Sequence, residues 1–137
     1  MPRRLVQPAL VVRVPSTWIV GVDVPALFVE LHLAALLARR CAESDDFEAI
    51  PATPELSVVC FRHLPGGRDA AMAMAPEALD AHQDRLQAAL EASGDGWLTT
   101  TRLRDATWLR AGVVNYLSTE ADIDGLLATL RRLATDT

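Results

Sequence analysis

The side chains able to do chemistry in this sequence are few, and one common type is missing. All thirteen basic residues are arginine, so the 137 residues contain no lysine. A guanidinium stays protonated and presents a planar fork of donors. It can hold a carboxylate by two parallel bonds, but it cannot attack an aldehyde as an amine does. Chemistry that needs a Schiff base on a lysine is closed to these residues by themselves. Three histidines, His32, His63 and His82, stand far apart, and no pair has the four-residue helical spacing of a metal site. On that spacing each reads as a surface or part-buried side chain. Cys60 has apolar neighbours in a β-rich run and no general base beside it, and Cys41 lies near a helix end. Both read as reduced thiols, with Cys60 packing rather than reacting. The turn Pro65-Gly66-Gly67-Arg68 could cradle an anion on successive backbone amides, but it lacks a nucleotide-loop fingerprint and reads first as a plain connection. Asp45 with Asp46, and Asp122 with Asp124, read as helix ends, because nothing nearby supplies the apolar pocket that splits the pKa values of a catalytic pair.

The totals narrow the classes further. Half the residues are apolar and the net charge is -5, which suits one compact domain with a core of its own. Arg3 with Arg4, and Arg39 with Arg40, are pairs and not a basic face, so no nucleic acid is expected as a partner. The longest apolar stretch, Val24 to Ala38, carries Glu30 and His32 and falls short of the ~20 residues a bilayer needs, so no membrane span is expected. No secretory layout is visible at the start, and with two reduced cysteines the expected location is cytoplasmic.

These side chains must be carried by elements that the sequence also marks. Residues 1–23 hold Pro2, Pro8 and Pro15 among β-branched residues and are left as an unassigned N-terminal arm with an apolar side to cover. From Pro25 to about Glu43 the pattern predicts a helix that is apolar on nearly every face. Leu56 to Arg62 reads as a mostly buried strand, and Ala70 to Ala75 as a flexible lead-in to a second helix from Pro76 to Ser93. That helix puts Leu79, Gln83, Leu86 and Leu90 on one face. Trp97 to Leu103 and Thr107 to Asn115 read as an antiparallel pair of strands joined by Arg104-Asp105-Ala106. A last helix starts near Ser118 or Thr119, capped with help from Asp122, and places Ile123, Leu126, Leu127 and Leu130 in one stripe.

The predicted fold is α+β, in the order α-β-α-β-β-α, with a small antiparallel sheet and its helices mainly on one face. Alternation along Thr107 to Asn115 sends Leu109, Ala111 and Val113 toward the helices. Trp108, Arg110, Gly112 and Val114 then fall on the open side, which is expected to be a docking surface.

Several segments, in order, resemble a known family. Phe47-Glu48-Ala49-Ile50 leads into Leu56-Ser57-Val58-Val59-Cys60-Phe61-Arg62. After it come Leu90-Glu91-Ala92-Ser93-Gly94, Trp97-Leu98-Thr99-Thr100-Thr101, Leu109-Arg110-Ala111-Gly112-Val113-Val114-Asn115 and Thr119-Glu120-Ala121-Asp122-Ile123-Asp124. Together they are similar to the C-terminal small domain of the group II pyridoxal phosphate-dependent amino acid decarboxylases, the family of aromatic amino acid, glutamate and diaminobutyrate decarboxylases. The resemblance implies that residues 24–137 are a domain like the small domain of fold-type I enzymes. It implies that the lysine, the aspartate on the pyridine nitrogen and the phosphate loop belong to a large cofactor-binding domain that these residues do not include. It also implies a dimeric enzyme acting on an amino acid, and a role for Arg110 in binding a substrate carboxylate. Pyridoxal phosphate is thus the family's cofactor, and none is expected on this chain alone. Three readings stay open: a fragment inactive without a lysine, one subunit of a split decarboxylase that meets a large domain, or a stand-alone module that binds or self-associates through the open sheet face.

Overall fold

The computed structural model describes residues 24–51, 57–112 and 119–136. The expected arm of residues 1–23, the segment Pro54 to Leu56 and the strand's far end from Val113 to Asn115 lie outside them. The described chain runs α1 (Val24–Glu43), β1 (Phe47–Ile50), β2 (Val58–His63), α2 (Arg68–Met72), α3 (Pro76–Ser93), β3 (Thr99–Leu103), β4 (Ala106–Gly112) and α4 (Glu120–Asp136). The four strands form one antiparallel sheet in the order β1-β2-β4-β3.

The α+β layout matches the sequence reading, with two elements added. The strand β1 is only four residues long and includes Glu48 and Ala49, so its own propensity is weak. It becomes a strand by pairing along β2, Phe47 opposite His63 and Ile50 opposite Cys60. The short helix α2 takes up the first part of the stretch read as a flexible lead-in, and it buries Ala71 against Leu64 and Leu79.

The local rules that shaped the other elements hold. Pro76 opens α3, and Gly94 closes it in the left-handed conformation that glycine adopts without strain. Arg104 and Asp105 both have positive φ, as a two-residue hairpin turn between right-twisted strands requires. At the start of α4, Thr119 Oγ1 accepts the Asp122 N–H at 3.3 Å, while Asp122 Oδ2 accepts the Thr119 N–H at 2.9 Å. This reciprocal cap satisfies donors that the first turn would leave unpaired.

One face of the sheet builds the core. Phe47, Val59, Phe61, Leu109 and Ala111 pack with Leu33, Leu36 and Leu37 of α1, Leu86 and Leu90 of α3, and Ile123, Leu127 and Leu130 of α4. The helix α1 is less enclosed than its composition suggested: Val29, His32, Ala35 and Arg39 form an exposed stripe, so it is covered over most of its girth but keeps one wet edge. Two exposed ion pairs cross from α1 to α4, His32 to Glu120 and Arg40 to Asp124. Arg131 of α4 holds Asp46 with two bonds, at 2.6 and 2.9 Å, and its guanidinium lies 5.0 Å over the Phe47 ring. That contact ties the last helix to the first strand.

Candidate functional site

Register places the candidate residue in the second layer of the molecule. Ile50 lies opposite Cys60, Cys60 opposite Arg110, and Arg110 opposite Thr99, which makes one row across all four strands. Because direct partners in a sheet share a face, these side chains stand on the side away from the core helices. A neighbouring row on that face holds Glu48, Arg62, Trp108 and Thr101.

The two residues expected on the open face behave differently. Arg110 is exposed, and no carboxylate pairs with it among the described residues. Trp108 is only 5 % exposed, which corrects the expectation of an open tryptophan. The Arg62 guanidinium lies 4.6 Å from the centre of its ring, and the indole Nε1–H donates to the Leu103 carbonyl at 3.2 Å. Arg62 is held there by Glu48, which also accepts a bond from Arg68 at 3.3 Å. A cation stacked on the indole face is favourable, and its stem covers apolar surface that alternation alone would leave wet. Among the described residues, the face therefore offers an exposed guanidinium with no carboxylate partner beside a covered indole. Beside it, Cys60 is buried, and burial pushes its thiol pKa up more than the nearby Arg110 charge pulls it down. Cys41, in the core, is pushed up to about 12 by burial. Both thiols stay protonated and packed, as the sequence reading held.

The histidines depart from their reading. His32 is exposed, but His63 and His82 are buried at 7 % and 6 % exposure and meet at 2.9 Å, Nδ1 to Nε2. The His63 ring also stands edge-on to Phe47, with centroids 5.1 Å apart. Beyond the pair Phe61–Leu109 the ladder between β2 and β4 ends, and α3 supplies the missing partners. Gln83 accepts the His63 N–H at 3.0 Å and donates to its carbonyl at 2.8 Å, while Asp80 accepts the Thr107 N–H at 2.8 Å. Burial pushes His63 down to about 4, assisted by His82, and burial pushes His82 down as well. Sequence spacing missed this cluster, since residues nineteen apart meet only once α3 lies beside β2. The available signal was a polar Gln83 in the middle of an apolar helical stripe. No group of three or more metal-ligating side chains occurs among the described residues.

Pyridoxal phosphate does not fit these residues as a covalent cofactor. There is no lysine, and in the turn Pro65-Gly66-Gly67-Arg68 the Gly67 N–H is already donated to the Leu64 carbonyl at 3.0 Å. Gly67 has φ +95°, and a Cβ there would lie 2.4 Å from Asp45 Oδ2, so the position suits glycine. No described helix is long and apolar enough to cross a membrane.

No family model matches the chain, and no curated protein matches it in sequence. Solved structures do match. Mouse CSAD in its apo form is 23 % identical, over 82 % of this chain and 24 % of that one, at a TM-score of 0.71. The glutamate decarboxylase domain of diaminobutyrate-pyruvate transaminase and L-2,4-diaminobutyrate decarboxylase from Vibrio parahaemolyticus is 25 % identical, over 82 % and 22 %, at 0.69. Oryza sativa TDC with PLP and tryptamine is 21 % identical, over 81 % and 23 %, at 0.67. The chain thus spans less than a quarter of each of these proteins. In fold, the described residues are a small α+β domain of the kind built into the group II pyridoxal phosphate-dependent decarboxylases.

Proposed function

We propose that residues 24–137 are the C-terminal small domain of a pyridoxal phosphate-dependent amino acid decarboxylase, and that they are not catalytic by themselves. The observation that carries this reading is the conjunction of a decarboxylase-like fold with a complete lack of lysine. A carbonyl cofactor needs a primary amine to be held covalently, and thirteen guanidiniums cannot supply one. The lysine and the phosphate-binding loop then come from a large cofactor-binding domain, which is the partner proposed here. A cytoplasmic location and an assembled dimer go with that reading.

Within such an assembly the role assigned to this chain's own residues is recognition. Arg110 is exposed on the face away from the core helices, with no carboxylate paired to it among the described residues, which suits bidentate binding of a substrate carboxylate. Trp108 and Arg62 form the rigid floor beside it. The purified chain mixed with pyridoxal phosphate and a panel of amino acids is expected to form no aldimine absorption band and release no carbon dioxide. Turnover by this chain alone would refute the reading. Adding a lysine-bearing large domain is expected to restore activity, and Arg110→Met is expected to raise KM more than it lowers kcat.

The exposure of Arg110, with no carboxylate paired to it among the described residues, also favours a second reading, a stand-alone module that binds a small carboxylate. Titration calorimetry with glutamate on the isolated chain separates the two. Saturable heat lost in Arg110→Met supports the module, and absence of heat with restored turnover in the mixture supports the split enzyme.

A further inference from the structure

The buried histidine pair serves neither the core nor the open face, yet it joins two elements that the site depends on. An N-to-N contact of 2.9 Å between imidazoles requires one ring to donate and the other to accept, so at least one must be neutral. With both rings protonated, two N–H groups would face each other across that distance inside a buried site. We propose that His63 and His82 form an acid-sensitive latch that holds the first half of α3 against the end of β2 and opens when both rings become charged.

The surroundings favour opening over charge compensation. Asp46, between α1 and β1, is the acidic group facing His63, but Arg131 of α4 already holds it with two bonds and adds its own positive charge. Cys41 of α1, which shares the Asp46–Arg131 cluster, is a neutral thiol. On the β1 side, Arg68 bonds to the Phe47 carbonyl, and on α3 the charge facing His82 is Arg85. From β4, Thr107 brings no charge. A second proton on the pair would therefore meet more positive than free negative charge.

The consequence reaches the candidate site through α3. Asp80, two residues before His82, accepts the Thr107 N–H and pairs with Arg102, so the helix held by the latch also holds the β3–β4 hairpin that carries Arg110. This functional link rests on the reading of Arg110 given above, whereas the latch itself does not.

The sign follows from burial. Both rings have folded pKa values below that of a free histidine, so their neutral state stabilises the fold above about pH 6.5 and the benefit is lost as pH falls from there toward about 4. At pH 5 a free histidine is about 97 % charged, while His63 at about 4 is only about one-tenth charged.

The test is site-resolved NMR on the whole chain between pH 7.5 and 4, following the histidine ring signals and amide exchange corrected for its intrinsic pH dependence. The His63 and His82 rings are expected to titrate below the ordinary histidine range. Protection of α3 amides from Leu79 to Leu86 is expected to fall about tenfold or more relative to α1 and α4 over the same range. His82→Gln, which cannot ionise, is expected to weaken that pH dependence to the part that burial of His63 alone supplies. The latch is overturned if His63 and His82 titrate in the ordinary histidine range, or if α3 loses protection only in step with α1 and α4. It is also overturned if a folded His82→Gln keeps the wild-type pH response. Should that variant not fold, the wild-type titration decides alone.

Discussion

Replacing Gln83 by leucine tests the splice between helix and sheet directly. Gln83 is fully buried, and its amide takes both main-chain groups of His63, with a third and longer bond to the Leu79 carbonyl. Leucine fills nearly the same space but leaves the His63 N–H and C=O without partners where the pairing of β2 with β4 has already ended. Each orphaned buried group costs about 1–3 kcal/mol, partly offset by about 1 kcal/mol from burying a more apolar side chain. The net loss is about 1–5 kcal/mol. With a slope of about 1–3 kcal/mol per molar urea for a small domain, a mid-range loss of about 3 kcal/mol lowers the midpoint by roughly 1–3 M at unchanged slope. Far-UV circular dichroism in urea reads this out. Gln87→Leu is the internal control, because Gln87 is half-buried and makes a single main-chain bond, to the Leu98 carbonyl at 3.0 Å, beside an exposed one to Glu91 at 3.1 Å, so it should cost about 1 kcal/mol or less. If the two variants lose equal stability, or Gln83→Leu shifts the midpoint by less than about 0.3 M, the main chain of His63 does not depend on α3 and the reasoning fails.

Two further substitutions test other joints. Arg131→Met removes the bond to Asp46 and the contact over Phe47; because the guanidinium is 43 % exposed, the expected loss is only about 1 kcal/mol. Arg131 holds the Asp46 carboxyl below the usual carboxylate range, so the difference between wild type and variant should be present above the ordinary aspartate pKa and shrink as pH falls below it. Asp122→Ala breaks the reciprocal cap with Thr119 and should cost about 1 kcal/mol, with faster amide exchange confined to the first turn of α4.

Much of the fold was legible because its signals are local. The capping pair Thr119 and Asp122, the stops at Pro76 and Gly94, and the apolar stripes of α3 and α4 depend on neighbours within one turn. The strand β1 was not legible as a strand, since four residues with a glutamate acquire their conformation from the partner strand. The site was legible only in part. Alternation correctly placed Arg110 on the side away from the helices, but it treated Trp108 the same way. Alternation reports which face a side chain leaves from, not what lies over it.

Two things were decided by the amino acids before any folding: that no side chain can form a Schiff base, and where the longer helices begin and end. Both depend on the chemistry of a residue or of its near neighbours. Only tertiary packing decided that Arg62 would roof Trp108, that Asp45 would lie against Gly67, and that two histidines nineteen residues apart would meet at hydrogen-bond distance in the dry edge of the core. Such contacts join residues whose separation along the chain carries no information about distance, so they exist only once β2, β4 and α3 have docked.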